Sequence, residues 1–307
     1  MDIIKHSQIS LDTSNNGKFK ILVCYYQPWE IVQNDLFFPI QAGKAISGFN
    51  LKMQGDDTGD NISSKNATFS EFTAWYWAWK NIKNYFPDIE YIGLSHYRRF
   101  FSMEHRKAKD GIIHTIGIPP MLNYEKLFID SLHKSDIILA VPEYFEYDLR
   151  TQYSYYHNSF DYLLLKDIIH EIYPDYYSSF IYIFEKQQKI SLYCMFASKY
   201  ELFDNYFTWL FPLLFKLEQK IDISNYSEYQ KRLLAFLAER LLNVYVYHHK
   251  LKIKYNPIFF ICKDNKELEK RTKKQNTMAK IKEIIKMFIP YGIIKYWENI
   301  RNRNDSW

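Results

Sequence analysis

Short apolar runs alternate with longer stretches of helical periodicity, and this alternation restricts the fold more than any single motif does. The runs are Phe19 to Tyr26, Ile89 to Ser95, Asp136 to Val141 and Ile190 to Ala197. The first is rich in β-formers and reads as a buried strand. The second stops abruptly at His96-Tyr97-Arg98-Arg99, and the third is halted by Pro142. Helical patterns fill about 66–85, 123–134, 157–172, 199–219 and 225–247; in the first of them Trp75, Trp79 and Ile82 recur at spacings of four and three. Strands separated by helices predict an α/β layer fold with a largely parallel sheet. No internal repeat or low-complexity segment interrupts the pattern.

A chain of 307 residues, 47% of them apolar, is long enough for one large domain or two modest ones. With 19% aromatics against nine glycines and ten prolines, it is not collagen-like, linker-like or disordered. The net charge of +5 is too small to imply nucleic acid, but it is unevenly spread. Residues 263–307 hold twelve Lys and Arg against six Asp and Glu, a local +6, which leaves −1 for residues 1–262. We therefore read 1–262 as one domain and 263–307 as a basic appendage.

Within that appendage Ile281, Ile284, Ile285, Phe288 and Ile289 share one helical face, with Lys280, Lys282, Glu283 and Lys286 on the rest. Pro290 and Gly292 break the helix before Ile293-Ile294-Lys295-Tyr296-Trp297. The pattern predicts peripheral membrane contact through residues 278–297. Amphipathicity alone does not separate a bilayer from a protein surface, so packing on the body or on a partner subunit is the alternative.

Cys24, Cys194 and Cys262 lie far apart and read as reduced thiols of a cytosolic protein. The first six residues lack the apolar core of a signal peptide, and no run reaches the ~18 apolar residues of a spanning helix. The expectation is a protein that is neither exported nor membrane-spanning.

In an open α/β sheet, ligands bind beyond the carboxyl ends of the strands, where His96-Tyr97-Arg98-Arg99 falls. Guanidinium forks match phosphate oxygens, so Arg98 and Arg99 beside His96 are expected to bind a polyanion. Successive strand residues point opposite ways, so at most alternate members share a face. Pairing of one arginine with an acid is the alternative. The loop Asp56-Asp57-Thr58-Gly59-Asp60-Asn61-Ile62-Ser63 gathers three carboxylates, the chemistry that holds Mg²⁺ or Mn²⁺ together with phosphates; a plain surface turn has the same composition. Glu239 sits among apolar neighbours beside Arg240, either as a base of tuned pKa or as half of an ion pair. No Gly-x-Ser-x-Gly elbow, phosphate-binding loop, dinucleotide fingerprint or zinc-protease helix is present, and the histidines lack metal-ligand spacing. Trp75, Trp77 and Trp79 read as core, with some aromatic surface able to stack on a sugar or base.

Several motifs occur in a fixed order: Pro39-Ile40-Gln41-Ala42-Gly43, then Asp57 to Ser63, Asn66, Glu71 to Asn81, and Ile92 to Phe100. Met195-Phe196, Glu201 to Asp204, Trp209 to Pro212 and Phe236 to Leu241 follow. In this order the chain resembles, from about residue 19 to 260, the bacterial capsular or exopolysaccharide biosynthesis glycosyltransferases, long catalogued as a domain of unknown function. The resemblance implies a GT-A-like nucleotide-binding sandwich with a mostly parallel central sheet, here carrying a C-terminal helical appendage. It further implies transfer of a sugar from a nucleotide-sugar donor, UDP-linked and with galactofuranose among the candidate sugars, to a glycan acceptor that is lipid-linked. A cytoplasmic location at the inner face of the membrane would follow.

One departure stands out. Where GT-A enzymes carry Asp-x-Asp to hold a metal, this chain has Ser95-His96-Tyr97-Arg98. Either Asp57 and Asp60 supply ligands for Mg²⁺ or Mn²⁺, or Arg98 and Arg99 neutralise the diphosphate directly. The donor site is then expected to comprise Arg98, Arg99, Asp57, Asp60, Asn61 and Glu71, with His96 assisting. Glu239 is the expected base, with Glu71 in reserve. The rival reading is a non-catalytic carbohydrate-binding or scaffold subunit of a polysaccharide assembly machine. A nucleic-acid partner is not expected, because the body is neutral and shows no nucleic-acid fold signature.

Overall fold

The computed structural model describes residues 6–7, 17–32, 35–103, 111–119 and 121–288, with side chains for all of these except 6–7, 276 and 278–288. Ten strands make the main sheet: β1 (Phe19–Tyr25), β2 (Phe37–Gln41), β3 (Gln54–Gly55), β4 (Tyr91–His96), β5 (Arg99–Phe101), β6 (Ile112–Ile116), β7 (Ile137–Ala140), β8 (Phe196–Lys199), β9 (Ile253–Asn256) and β10 (Ile258–Cys262). Seven lie in the order β9-β7-β8-β4-β1-β2-β3, and β10 pairs with β5 and β6 beside them. The pairs β1–β4, β1–β2, β2–β3 and β7–β9 are parallel. β8 runs antiparallel to both β4 and β7, so those two share a direction. This is the mixed α/β, mostly parallel, GT-A-like architecture that the sequence implies. The carboxyl ends of β1, β2, β4 and β7 all open on one edge, together with the start of β8.

Period-two geometry explains why the apolar runs are continuous. On β1, Leu22 and Cys24 enter one core, while Phe19, Ile21, Val23 and Tyr25 enter the other; β7 splits Ile137 and Leu139 from Ile138 and Ala140. The first core is covered by α1 (Phe72–Tyr85), α4 (Ser159–Ile172), α5 (Tyr177–Lys186), α6 (Tyr200–Lys220) and α7 (Leu233–His248), with α3 (Leu149–Tyr156) at its border. Tyr124, Phe128 and Leu132 of α2 (Tyr124–Leu132) line the second. Trp75 and Trp77 are fully buried, which places them in the core as expected. Each such side chain contributes roughly 1.5–3 kcal/mol relative to exposure.

Two expected elements are broken. The helix over 66–85 is interrupted at Ser70 (φ 49°, ψ −129°), and α1 begins at Phe72. Asn66 Nδ2 donates to the Ser70 carbonyl (2.6 Å) and to Thr73 Oγ1 (3.0 Å), which holds this corner out of helical geometry. The run Ile190–Ala197 is likewise cut. Lys189–Ile190 pairs with Glu143–Tyr144, and β8 starts only at Phe196. Between them Tyr193 (φ 76°) and Cys194 (φ 51°) adopt the left-handed conformation without being glycine.

α8 (Asn265–Phe288) follows β10. Its first turns are tied to the body: Glu267 pairs with Arg98, and Gln275 Nε2 donates to the Ile112 carbonyl (3.3 Å). The side chains of the stripe from Ile281 to Phe288, and all of residues 289–307, lie outside the described residues, as does the aromatic segment Ile293 to Trp297. Among the described residues no helix is long and apolar enough to cross a membrane. The three cysteines are free and buried.

Candidate active site

β4 ends at His96, and a tight turn brings the chain back as β5 with Arg99 opposite His96. The turn parts the two arginines. Arg98 Nε donates to the Ile261 carbonyl (2.7 Å), and its Nη2 lies 2.5 Å from Glu267 Oε2. Its charge is therefore answered by α8, and Arg98, in the turn, is directed away from the anion that the sequence expects it to share with Arg99 at the start of β5. The Arg99 guanidinium instead lies over the rings of Tyr193 (4.7 Å) and Phe260 (5.4 Å). Its Nε is buried without a hydrogen-bond partner, and no carboxylate pairs with it among the described residues.

His96 is almost fully buried, with Nε2 2.6 Å from the Tyr193 carbonyl. A carbonyl only accepts, so Nε2 carries the proton. Burial first, then the neighbouring Arg99 charge, pushes the imidazole down to about 4, and it is neutral at pH 7. His96 thus grips the left-handed corner at Tyr193. The same corner is held from the other side, where the Tyr193 N–H donates to Glu239 Oε1 (2.6 Å).

Glu239 projects from α7 with 22% of its side-chain surface exposed. Arg240, its sequence neighbour, stays 3.9 Å away and donates elsewhere, to the Phe236 carbonyl (2.7 Å) and Gln152 Oε1 (2.6 Å). The expected ion-pair alternative is therefore present as a long contact of Arg240 Nη1 with Glu239 Oε2, an oxygen that accepts no hydrogen bond among the described residues. Burial raises the Glu239 carboxyl above the ordinary carboxylate range; Arg240 and the Tyr193 N–H work against this, and the Glu71 charge adds to it. Glu71, at the start of α1 beside the Ser70 corner, is likewise raised by burial, with its own N–H, Arg232 and Arg99 opposing. Arg232 Nε donates to Ser70 Oγ (2.9 Å). Glu71, His96, Arg99 and Glu239 therefore converge at the carboxyl edge of the sheet from four separate segments.

The acidic loop lies at the same edge but is organised differently. Asp56 is fully buried and accepts from the N–H groups of Gly43 (2.8 Å) and Lys44 (3.0 Å) and from Ser63 Oγ (2.5 Å). Asp60 Oδ1 accepts from Tyr76 OH (3.0 Å). Asn61 is spent on the Gly59 carbonyl (2.9 Å) and the Ser63 N–H (3.2 Å). Gly59 has φ +57°, and a Cβ there would stand 2.2 Å from Asn81 Oδ1, which itself accepts from the Asp60 N–H. Asp57 faces the Lys44 ammonium at 3.9 Å. Among the described residues no group of three or more His, Cys, Asp or Glu is arranged to hold a metal ion. Asp57 Oδ1 is buried without a hydrogen-bond partner, and Asp60 is exposed with one oxygen held by Tyr76, so these two carboxylates, with the Lys44 ammonium beside them, are what the loop could offer a divalent ion.

Sequence reasoning missed Arg232 and the Tyr193–Cys194 corner. Neither carries a local signal, since both join the site through contacts distant in the chain.

Residues 20–250 match the family described as a domain of unknown function (DUF4422). No curated protein matches the chain. Among solved structures it is similar to the apo form of WbbM, a bifunctional glycosyltransferase, at 28% identity and a TM-score of 0.70. The match covers 80% of this chain and 45% of that one, so the chain spans less than half of that protein's length.

Proposed function

Because this chain belongs to the DUF4422 family, and shares its fold with part of a glycosyltransferase, we propose that it transfers a sugar from a nucleotide-sugar donor to a glycan acceptor. The observation that carries this reading is Arg99, whose Nε is buried without a hydrogen-bond partner beside two carboxyls of raised pKa, at the sheet edge where α/β folds bind ligands.

The chemistry follows from charge. Transfer develops negative charge on the departing diphosphate, and a preorganised cation there stabilises the transition state. Arg99 is that cation: it is positioned by Tyr193 and Phe260 and makes no hydrogen bond through its Nε. In an inverting transfer, Glu239 Oε2 takes the acceptor hydroxyl proton as that oxygen bonds the anomeric carbon. The bond to the phosphate oxygen breaks as the new one forms, and its electron pair leaves on the diphosphate. The raised pKa of Glu239 suits a base working near neutral pH. His96 acts through the backbone, fixing the Tyr193 corner that Glu239 also grips, and is a positioning residue. Glu71, in reserve as a base, tunes Glu239 and orients Arg232. Nothing in this sequence of steps calls on a divalent ion.

In our finer reading the donor is UDP-linked, with galactofuranose among its candidate sugars. The acceptor is a lipid-linked capsular or exopolysaccharide chain, reached at the inner face of the membrane through residues 278–297. Thermal-shift screening across UDP-, GDP- and dTDP-sugars tests the core claim: stabilisation by a nucleotide sugar that Arg99→Ala abolishes is the expected result. Silence from every donor would leave the scaffold reading in its place. Liposome sedimentation of the whole chain against one ending at Thr277 tests the tail, and equal pelleting removes the membrane contact.

A further inference from the structure

An acceptor has to approach Glu239 from outside, and one strip of surface leads to it. Phe236 lies one turn before Glu239 on α7. It stacks on His157 (ring centroids 4.2 Å, 28°), His157 stacks on Tyr229 (5.8 Å, 18°), and Tyr229 closes back on Phe236 at 5.1 Å. The Arg232 guanidinium sits 5.3 Å above Phe236 while bonded to Ser70, so this aromatic column adjoins the Glu71 corner.

α3 extends the strip outward. Gln152 is fastened to Arg240, and Gln230 Nε2 donates to the Tyr156 carbonyl (2.7 Å). Tyr156 is one turn beyond Gln152 and hence on the side of α3 that meets α7. Although the backbone is pinned, the rings are left in solvent: Tyr155 is 66% exposed, Tyr156 63% and Tyr229 52%. Tyr155 further pairs with the exposed Tyr147 at 5.4 Å.

A run of exposed aromatics held by a rigid backbone marks a binding surface. Its composition favours saccharide over a second protein copy. A phenol offers a flat face for the C–H face of a sugar ring and a hydroxyl for its polar rim, and the strip opens on the carboxylate that the transferase reading makes the base for a sugar hydroxyl. We infer that Tyr147, Tyr155, Tyr156 and Tyr229, leading inward to Phe236, form the acceptor subsite and bind an oligosaccharide chain whose terminal sugar reaches Glu239. This deepens the transferase reading and rests on it for the direction of the chain.

The test uses the full chain and a panel of tetra- to hexasaccharides of galactose, glucose, mannose and N-acetylhexosamine, with binding followed by NMR or tyrosine fluorescence. Tyr156→Ala and Tyr229→Ala should each weaken glycan binding by about three- to tenfold, and Tyr156→Phe should retain it. The UDP-induced thermal shift serves as the donor-site and folding control. Loss of glycan binding with that shift intact supports the subsite. Loss of glycan binding in a protein that shows no UDP shift even as wild type supports the strip while removing the transferase reading. Equal glycan affinity in the variants overturns the proposal, as does a wild-type protein that binds none of the panel. A dimer in sedimentation velocity that Tyr156→Ala converts to monomer would also overturn it, making the strip a self-association face.

Discussion

The Asp56–Ser63 loop and the Glu71–His96–Arg99–Glu239 cluster occupy the same edge of the sheet and are both rich in charge, yet they are built on opposite rules. In the loop Asp56 takes three bonds, Asp60 takes Tyr76, and Trp77 Nε1 donates to Thr58 Oγ1 (2.9 Å), which leaves Asp57 Oδ1 buried without a hydrogen-bond partner beside the Lys44 ammonium. In the cluster a guanidinium Nε is buried with no partner, and two carboxyls are held above their ordinary range by desolvation. A satisfied buried network stabilises a fold, whereas an unsatisfied one carries a cost that a ligand can remove. On the proposed reading Asp56 is scaffold and the cluster binds, although the sequence shows both regions as clusters of charge.

Breaking the cluster should cost activity first and stability little. The largest effect is expected from Glu239→Gln, which keeps an acceptor for the Tyr193 N–H but removes the base; turnover should fall about 10²- to 10⁴-fold. Wild-type turnover should rise with pH through the raised Glu239 pKa, because only the ionised form accepts the proton. The variant should lose that acid limb, so a pH–rate profile that keeps it excludes Glu239. The sign for stability is the reverse. The folded protein holds this proton more tightly than the unfolded chain, so stability falls as pH rises from the ordinary carboxylate range through the raised value.

Arg99→Ala comes next, with kcat/KM expected to drop about 10²- to 10³-fold through lost charge stabilisation. Melting should change little, since Arg99 is half-buried and its Nε makes no hydrogen bond that the substitution would break. A variant that melts much earlier while binding nucleotide normally would make Arg99 structural and dissolve the contrast.

The loop should respond in the opposite way. Asp56→Ala strands two buried N–H groups and the Ser63 hydroxyl, at a cost of about 3 kcal/mol or more in a denaturant melt. Donor affinity of the remaining folded protein should stay near wild type. If affinity collapses with the fold intact, the loop belongs to the donor site after all.

How much of this was legible depends on whether the information was local. β1, β4 and β7 stand out because strands buried on both faces are continuously apolar, whereas the parting of Arg98 from Arg99 comes from a turn at Tyr97-Arg98 that no glycine or proline announces. β2 is obscured by Pro39, a residue that lacks a ladder donor, and β9 and β10 by their position just before the basic appendage. The corner at Tyr193–Cys194 has no glycine to announce a positive φ; it is held by His96 from β4 and Glu239 from α7, contacts no local pattern encodes. The acids at 56, 57 and 60 are visible as a cluster. Asp56 is met by the Gly43 and Lys44 N–H groups and by Ser63, and Asp60 by Tyr76 of the next helix, partners that the spacing of the acids does not reveal.

The smallest effect sharpens the contrast within a single turn of chain. Arg98 and Arg99 are adjacent, but Arg98 is neutralised by Glu267, which also receives Arg271 Nε (2.9 Å) and the Lys263 N–H (2.9 Å). Burial alone would raise the Glu267 carboxyl, but the Lys263 N–H, Arg271 and Arg98 together hold it down to about 2. Because the folded value lies below the unfolded one, this carboxylate contributes stability above the ordinary range and loses it as pH falls from about 4.5 toward 2. Glu267→Gln should therefore lower stability at pH 7 by about 1 kcal/mol, and the difference from wild type should shrink as the pH is lowered through that window. Donor affinity should change by less than about twofold, since Arg99 keeps its place over Tyr193. A loss of donor binding as large as that of Arg99→Ala would mean that the two arginines act as one unit through the Phe260 ring they share.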